Sequence, residues 1–343
     1  MDIKKFSALV GVSTATVSRA FSGNGRIKEA TRARIIELAE KHGYVPNIHA
    51  QRLNARRSHI IAVYYSFSTA PIFDYYNMEL AQEIAKAAGA RGYTTNLELT
   101  HQADGPSAGL RRAAAGGGLD GIILVADSRE GAEGFLRQFK NVPVVIVAGQ
   151  DWSLPEAAGV VRIQTAPGIE RAVAAMYEAG HRRIGFIHGR ADAAKHGAFI
   201  DSLRRHGLDA RRVPMAEGPQ SFEDGERAIG ELLDQGVSAV LCSTDILALG
   251  AISGAGKRGV AVPERLSIVG IDDLAFSAFT HPPLASVGIP RPEIAAAAVS
   301  ILDRIVGDAS DQAGDATEPP ALIQTVDTCF IRRASLGPAP VGA

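Results

Sequence analysis

The chain reads as an α/β protein with a helical head: a three-helix helix-turn-helix unit and a short linker helix, then two lobes, each a doubly wound parallel sheet. Three observations predict this. Residues 7 to 21, SALVGVSTATVSRAF, set a short helix, a Gly-Val-Ser turn and a second helix in the order of a DNA-reading helix-turn-helix. From Ile60 onward, short apolar runs alternate with helical patterns, as βαβ units require. The same alternation restarts after Trp152, a weak internal duplication that predicts two lobes in series.

Taken in order, Ala8, Leu9 and Val12 are spaced to pack inward against Val17, and Ser13 is a good N-cap for a second helix starting at Thr14. That leaves Thr14, Ala15, Ser18 and Arg19 facing outward. A third helix is predicted from Lys28 to His42, where Ile35, Leu38 and Ala39 recur at helical spacing and Gly43 closes it. Pro46 and Asn47 interrupt, and IHAQRLNARR follows, a basic segment too short to be a stable helix alone. The first lobe then opens with IIAVYYS as a strand, MELAQEIAKAAGARG as a helix, and TTNLEL, DGIILVA and VPVVIVAG as further strands. In the second, IERAVAAMYEAG and HGAFIDSLRRHG are helices, and RRIGFIHG, AVLCST and RLSIVGID are strands. A last helix, Pro292 to Val306, precedes a Gly/Asp/Ala/Pro-rich break at 307–320, and LIQTVDTCFIRR closes the chain as one strand pattern.

With 343 residues, 46% hydrophobic and 21% charged, the chain has the material for at least two cores. No run of 18 apolar residues is present, and MDIKKFSALVGVS lacks the apolar core of a secretory signal, so a cytoplasmic protein without a membrane partner is expected. Cys242 and Cys329 have no partner spacing for zinc and read as packing residues. The net charge of −1 hides a division. Residues 1 to 60 carry 11 Lys and Arg against 4 Asp and Glu, +7, while the rest carries 25 against 33, −8. A basic head on an acidic body suits a nucleic-acid partner.

Several segments together resemble the lactose repressor/galactose repressor (LacI/GalR) family of bacterial transcription regulators: GVSTATVSRAF, ATRARIIELAEKHGYVPNIHAQRL, LDGIIL, VPVVIV, AGHRRIGFI, VPERLSIVGIDD and RAS at 333–335. The resemblance covers nearly the whole chain. It implies a helix-turn-helix domain at 1–46, a hinge helix and linker at 47–58, and an effector-binding and dimerisation core at 59–335 like a type I periplasmic binding protein. Lobe 1 is expected at about 59–163 and 289–320 and lobe 2 at about 164–288 and 321–335, with crossings near Ile163, Gly288 and Ala321. Residues 336–343 are expected to be a flexible tail.

The resemblance also assigns residues. Thr14, Ala15 and Arg19 match base-reading positions; Arg19 is suited to grip guanine O6 and N7 with two hydrogen bonds, and Ala15 to touch a thymine methyl. Ser13, Thr16, Ser18 and Thr31 match phosphate-contacting hydroxyls, and Arg26 sits where the loop reaches the backbone. Asn47, Ala50 and Leu53 match hinge positions in the minor groove, with Leu53 as the wedge that opens a central base step. Two such wedges, from a homodimer on a pseudo-palindromic operator, make the arrangement sensible. Two departures stand out: Ser22 replaces the usual Asn, and Lys28 the usual small capping residue.

For the effector, Lys195 stands where the family usually has a ligand-binding Arg, and Asp272 keeps a common acidic hydroxyl-binder. Thr244 replaces the usual Asn, Gln164 and Ala148 replace acidic residues, Gln220 stands where an aromatic often stacks, and Phe73 supplies an apolar wall. Losing two carboxylates while keeping a cation shifts the cleft toward positive potential and toward a sugar or sugar-derived acid. No cofactor, metal site or catalytic constellation is expected. Gly254 to Gly259 spells GxGxxG without a feeding strand, and Gly105 to Gly109 spells GxSxG in a polar loop; HRR at 181–183 reads as a helix-to-strand turn, and Trp152 as lining the cleft mouth or capping the first lobe. The alternative class is a solute-binding receptor without a DNA role, against which the basic head and the missing signal argue. The tail SLGPAPVGA has no heptad pattern, so dimers rather than tetramers are expected.

Overall fold

The computed structural model describes residues 1–22, 27–44, 57–67, 75–101, 103–149, 152, 154, 157–189, 192–217, 220–311 and 322–340. The head holds α1 (Ile3–Val10), α2 (Thr14–Ser22) and α3 (Glu29–His42). Asp2 caps α1 by accepting from the Lys5 N–H at 2.8 Å, and Gly11, at φ +73°, lets its own N–H return to the Ser7 carbonyl as the chain turns. Phe6, Val10, Val17, Ala20, Ile35, Ala39 and Tyr44 form the buried centre, with the Phe6 and Tyr44 rings stacked at 4.1 Å. The expected inward pair is displaced here. Ala8 and Leu9 are exposed, Leu9 by 50%, because Phe6 and Val10, four apart on one face, already fill the space against Val17.

The first lobe contains β1 (Ile60–Phe67), α4 (Tyr75–Gly89), β2 (Thr94–His101), α5 (Ala108–Ala115), β3 (Gly121–Ala126), α6 (Arg129–Leu136), β4 (Val144–Ala148) and β5 (Gly159–Gln164). The second begins with α7 (Ala166–Glu178), β6 (Ile184–His188), α8 (Ala193–Arg205), β7 (Met215–Glu217) and α9 (Phe222–Asp234). It continues with β8 (Ala239–Cys242), α10 (Asp245–Lys257), β9 (Ser267–Asp272), a 3-10 turn at Ser277–Phe279 and β10 (Ala285–Gly288). Then come α11 (Arg291–Asp311), β11 (Leu322–Asp327) and β12 (Cys329–Ile331). Two six-stranded sheets result, ordered β11-β5-β4-β3-β1-β2 and β12-β10-β9-β8-β6-β7. Every pairing is parallel except β10 with β12. Strands such as β4 and β9 are buried along their whole length, which is why they appear as unbroken apolar runs in the sequence.

The chain changes sheets three times: between β5 and α7, between β10 and α11, and at Thr328. The third change differs from the expectation near Ala321. Leu322–Asp327 adds to the first sheet as the edge neighbour of β5, pairing Val326 with Ile163, and only Cys329–Ile331 joins the second sheet. Thr328 fixes the changeover: its hydroxyl donates to the Gln164 or Thr165 carbonyl, at 2.9 and 3.1 Å, and accepts from the Gly168 N–H. The tail also departs from the flexible segment expected. Leu336 is buried, Gly337 bonds Ser267 through its N–H, and the Ala339 N–H donates to the Ala179 carbonyl. Cys329 is exposed rather than packed, while Cys242 is buried. Trp152 packs into the first lobe's core beside Leu154 and Ala157. His181 ties the second lobe together, its ring nitrogens 3.0 Å from Ser238 Oγ and 2.9 Å from Ser267 Oγ; burial lowers its pKa and keeps the ring neutral.

Candidate nucleic-acid interface and ligand cleft

Ser13 begins α2 as its N-cap, accepting from the Thr16 N–H at 3.1 Å while its hydroxyl lies 2.8 Å from that of Thr16. With Val17 and Ala20 turned into the core, the helical period puts Thr14, Ala15 and Arg19 on the open face, and all three are exposed. Ser13 is also exposed, and Thr16, Ser18 and Thr31 are half-buried at the border of that face. Arg32 Nε donates to the Ala20 carbonyl at 3.1 Å and fixes α3 against the end of α2. Lys28 precedes α3 without a side-chain cap, the consequence of that sequence departure. The face thus offers a guanidinium, a methyl and hydroxyls beside a helix N-terminus, a chemistry for base edges and phosphates. Arg26, Asn47, Ala50 and Leu53 lie outside the described residues.

A ligand cleft in such a fold lies outside the carboxyl ends of the strands, where strand order reverses. In the second lobe the reversal falls between β6 and β8, followed by Gly189 and by Ser243–Thr244 respectively, with Asp272 ending β9 next to it. Asp192, 8% exposed, organises this end. It accepts from the Gly189 N–H at 2.9 Å and from Gln220 Nε2 at 3.0 Å, and Lys195 lies 3.5 Å from it. Burial pushes its carboxyl up, yet the Lys195 charge and the donated hydrogen bonds outweigh this and hold it below the usual carboxylate range. Lys195 Nζ also donates to the Ser243 carbonyl at 2.8 Å. Asp192 is not among the residues the sequence singles out, and it corrects the expectation of a positive cleft: the Lys195 charge has a counter-charge beside it.

Thr244 caps α10 by accepting from the Leu247 N–H at 3.2 Å, so part of its hydroxyl's capacity is structural. Gln164 is exposed at the end of β5, beside the first crossing, and Phe73 lies outside the described residues. His188 and His196, which carry no motif spacing in the sequence, stack in line with Phe186 at the end of β6, their own centroids 5.7 Å apart. Among the described residues His196 Nε2 is buried without a hydrogen-bond partner, and the Ser243 hydroxyl is one of the donors that lower the Asp192 pKa. Asp272 is buried at φ +122° and Asp273 follows at φ +53°. Behind them, fully buried Asp245 accepts from the Leu274 N–H at 2.9 Å and from the Ser277 and Ser286 hydroxyls at 2.5 and 2.6 Å.

Among the described residues, no group of three or more His, Cys, Asp or Glu is placed to hold a metal ion, and no helix is long and apolar enough to cross a membrane. The GxGxxG run ends α10 rather than starting a helix after a strand. Ser107 of the GxSxG run caps α5 and donates to Glu98.

A helix-turn-helix head on a two-lobed binding core defines an effector-controlled, DNA-binding regulator of transcription. Residues 3–47 match the bacterial regulatory proteins, lacI family, and residues 173–336 the periplasmic binding protein-like domain. The chain is 32% identical over 301 residues to the HTH-type transcriptional repressor CytR of Escherichia coli strain K12, covering 85% of both chains. Among solved structures it is similar to the transcriptional regulator CelR–cellobiose complex, with TM-score 0.66 and 25% identity over 98% of this chain and 99% of that one. The lac repressor dimer bound to operator and the anti-inducer ONPF shares the fold, with TM-score 0.75 and 20% identity over 98% and 99% of the two chains. The chain belongs to the lacI family of bacterial regulatory proteins.

Proposed function

We propose that this protein is a cytoplasmic, non-enzymatic repressor that binds a pseudo-palindromic operator as a homodimer and is controlled by a sugar or sugar-derived acid. The observation that carries the DNA half is the open face of α2, where Thr14, Ala15 and Arg19 are exposed while Val17 and Ala20 are buried. In this reading Thr14, Ala15 and Arg19 contact bases; Ser13, Thr16, Ser18, Thr31 and Arg26 contact phosphates; and Asn47, Ala50 and Leu53 enter the minor groove. The head, hinge and core limits proposed are 1–46, 47–58 and 59–335.

Lys195, Gln220, Thr244 and Asp272 of the second lobe, Gln164 at the end of β5, and Phe73 are the effector residues. The Lys195–Asp192 pair supports a polyhydroxy ligand, since a donor and an acceptor side by side suit adjacent hydroxyls. A solved relative holding cellobiose supports the same class. Selection from random duplexes by the full chain, with and without cellobiose, D-ribose and D-galacturonate, tests both halves. Enrichment of a palindromic site whose recovery changes with a sugar is expected. No sequence preference would overturn the DNA half, and a thermal shift with purines or amines but with no sugar or uronate would overturn the effector class.

A further inference from the structure

The Asp272–Asp273 turn is gripped from the other lobe. Arg291, the first residue of α11, donates from Nη1 to the Asp272 carbonyl at 2.6 Å and from Nη2 to the Asp273 carbonyl at 2.5 Å. Its Nη2 also lies 3.0 Å from Oε2 of Glu79, on the first-lobe helix α4. The other oxygen of Glu79 reaches across to the second lobe and accepts from the Ala275 N–H at 3.0 Å. Tyr75, one turn before Glu79, meets Phe276 edge to face with centroids 5.4 Å apart. One carboxylate, one guanidinium and one ring pair thus join α4 and the root of α11, which pack on each other, to residues 272–276 of the opposite lobe.

The gripped carbonyls belong to two consecutive non-glycine residues at positive φ, a conformation L-residues hold only when their surroundings impose it. Arg291 imposes it through both carbonyls, and the Ser286 hydroxyl does so by accepting from the Asp273 N–H at 3.1 Å. Arg333 holds the Asp273 carboxylate at 2.6 Å from within the second lobe. Charge-assisted bonds of this kind are the strong ones, and Arg291 and Glu79 are largely shielded from water, with 12% and 26% of their side chains exposed. We infer that Glu79 and Arg291 form an interlobe latch on the Asp272–Asp273 turn, which holds the lobe spacing and, through it, operator binding. Any movement of that peptide changes what Arg291 can reach, and Glu79 passes the change to α4.

Only the operator arm of the test rests on the regulator reading. The spacing arm uses the full chain carrying Cys329→Ser, with spin labels at Arg112→Cys on the first lobe and Glu231→Cys on the second, and pulsed electron–electron resonance without DNA or ligand. Mixed with excess unlabelled chain, so that a homodimer carries at most one labelled protomer, the parent should give one narrow distance. Glu79→Ala and Arg291→Gln should each add a longer-distance population, and combining them should add no more than either alone. Should Arg291→Gln fail to fold, Arg291→Lys keeps the charge, loses the two-pronged grip, and carries the same expectation.

The parent distribution retained in Glu79→Ala and in the Arg291 variant would overturn the latch. So would an equal change in Glu83→Ala, one turn further on and paired with Lys86. In the second arm, operator affinity of Glu79→Ala should change by threefold or more. A new population with unchanged operator affinity would overturn the coupling, whereas wild-type protein that binds no duplex would count against the regulator reading alone.

Discussion

Asp245→Asn isolates a group whose protonation the fold controls. The Asp245 side chain starts α10 with no exposure to water, and burial pushes its carboxyl up to about 6, the neighbouring Asp273 charge acting in the same direction. Donation from Ser277, Ser286 and the Leu274 N–H pulls the other way and limits the rise. Against about 3.9 in an unfolded chain, this is roughly two units, or about 3 kcal/mol. A carboxyl whose folded pKa is raised contributes stability that is fully present below the unfolded pKa, near pH 4, and lost as pH rises through the folded pKa, near 6. Asparagine cannot ionise, so that slope should vanish in the variant. Urea unfolding of both proteins at intervals between pH 4 and 7, followed by far-ultraviolet circular dichroism, measures it. The stability of wild type relative to Asp245→Asn should fall by about 2 to 3 kcal/mol across that range. Parallel profiles would refute the claim that the fold holds this carboxyl against ionisation.

Ser13→Ala removes the cap of α2 and should cost the head about 1 kcal/mol, read as a lower melting temperature of the head resonances in NMR spectra of the full chain. Gly250→Ala sets a methyl against the Phe222 carbonyl where α10 crosses α9; a destabilisation of about 3 kcal/mol or more is expected in chemical denaturation. Asp192→Asn removes the counter-charge of Lys195, so calorimetry should find that D-galacturonate gains affinity relative to cellobiose, by about 1 kcal/mol or more.

Much of this was legible where local chemistry decides the outcome. Ser13 caps a helix whose open and buried faces follow from its period, and β4 and β9 are apolar throughout because both faces of each sheet are covered. Where tertiary geometry decides, the sequence is silent. Ala8 and Leu9 look as apolar as Phe6 and Val10, and only packing against Tyr44 selects between them. Nothing in LIQTVDTCFIRR, which lacks Gly and Pro, marks the change of sheet at Thr328. Asp192 was readable in principle, lying three residues before Lys195 and so within reach on the opening turn of a helix. Glu79 and Arg291 were not, since more than 200 residues separate two charges that only the crossing topology brings together.

In the function proposed above, Arg19 reads a base from the open face of α2. Fluorescence anisotropy of wild type and Arg19→Ala on the duplex enriched by selection tests it most directly, with a duplex altered at the contacted guanine as the second arm. A loss of about 1 to 3 kcal/mol is expected for Arg19→Ala, roughly 5- to 150-fold, with a variant that no longer distinguishes the two duplexes. Unchanged affinity, or an equal loss on both duplexes with discrimination intact, would contradict it.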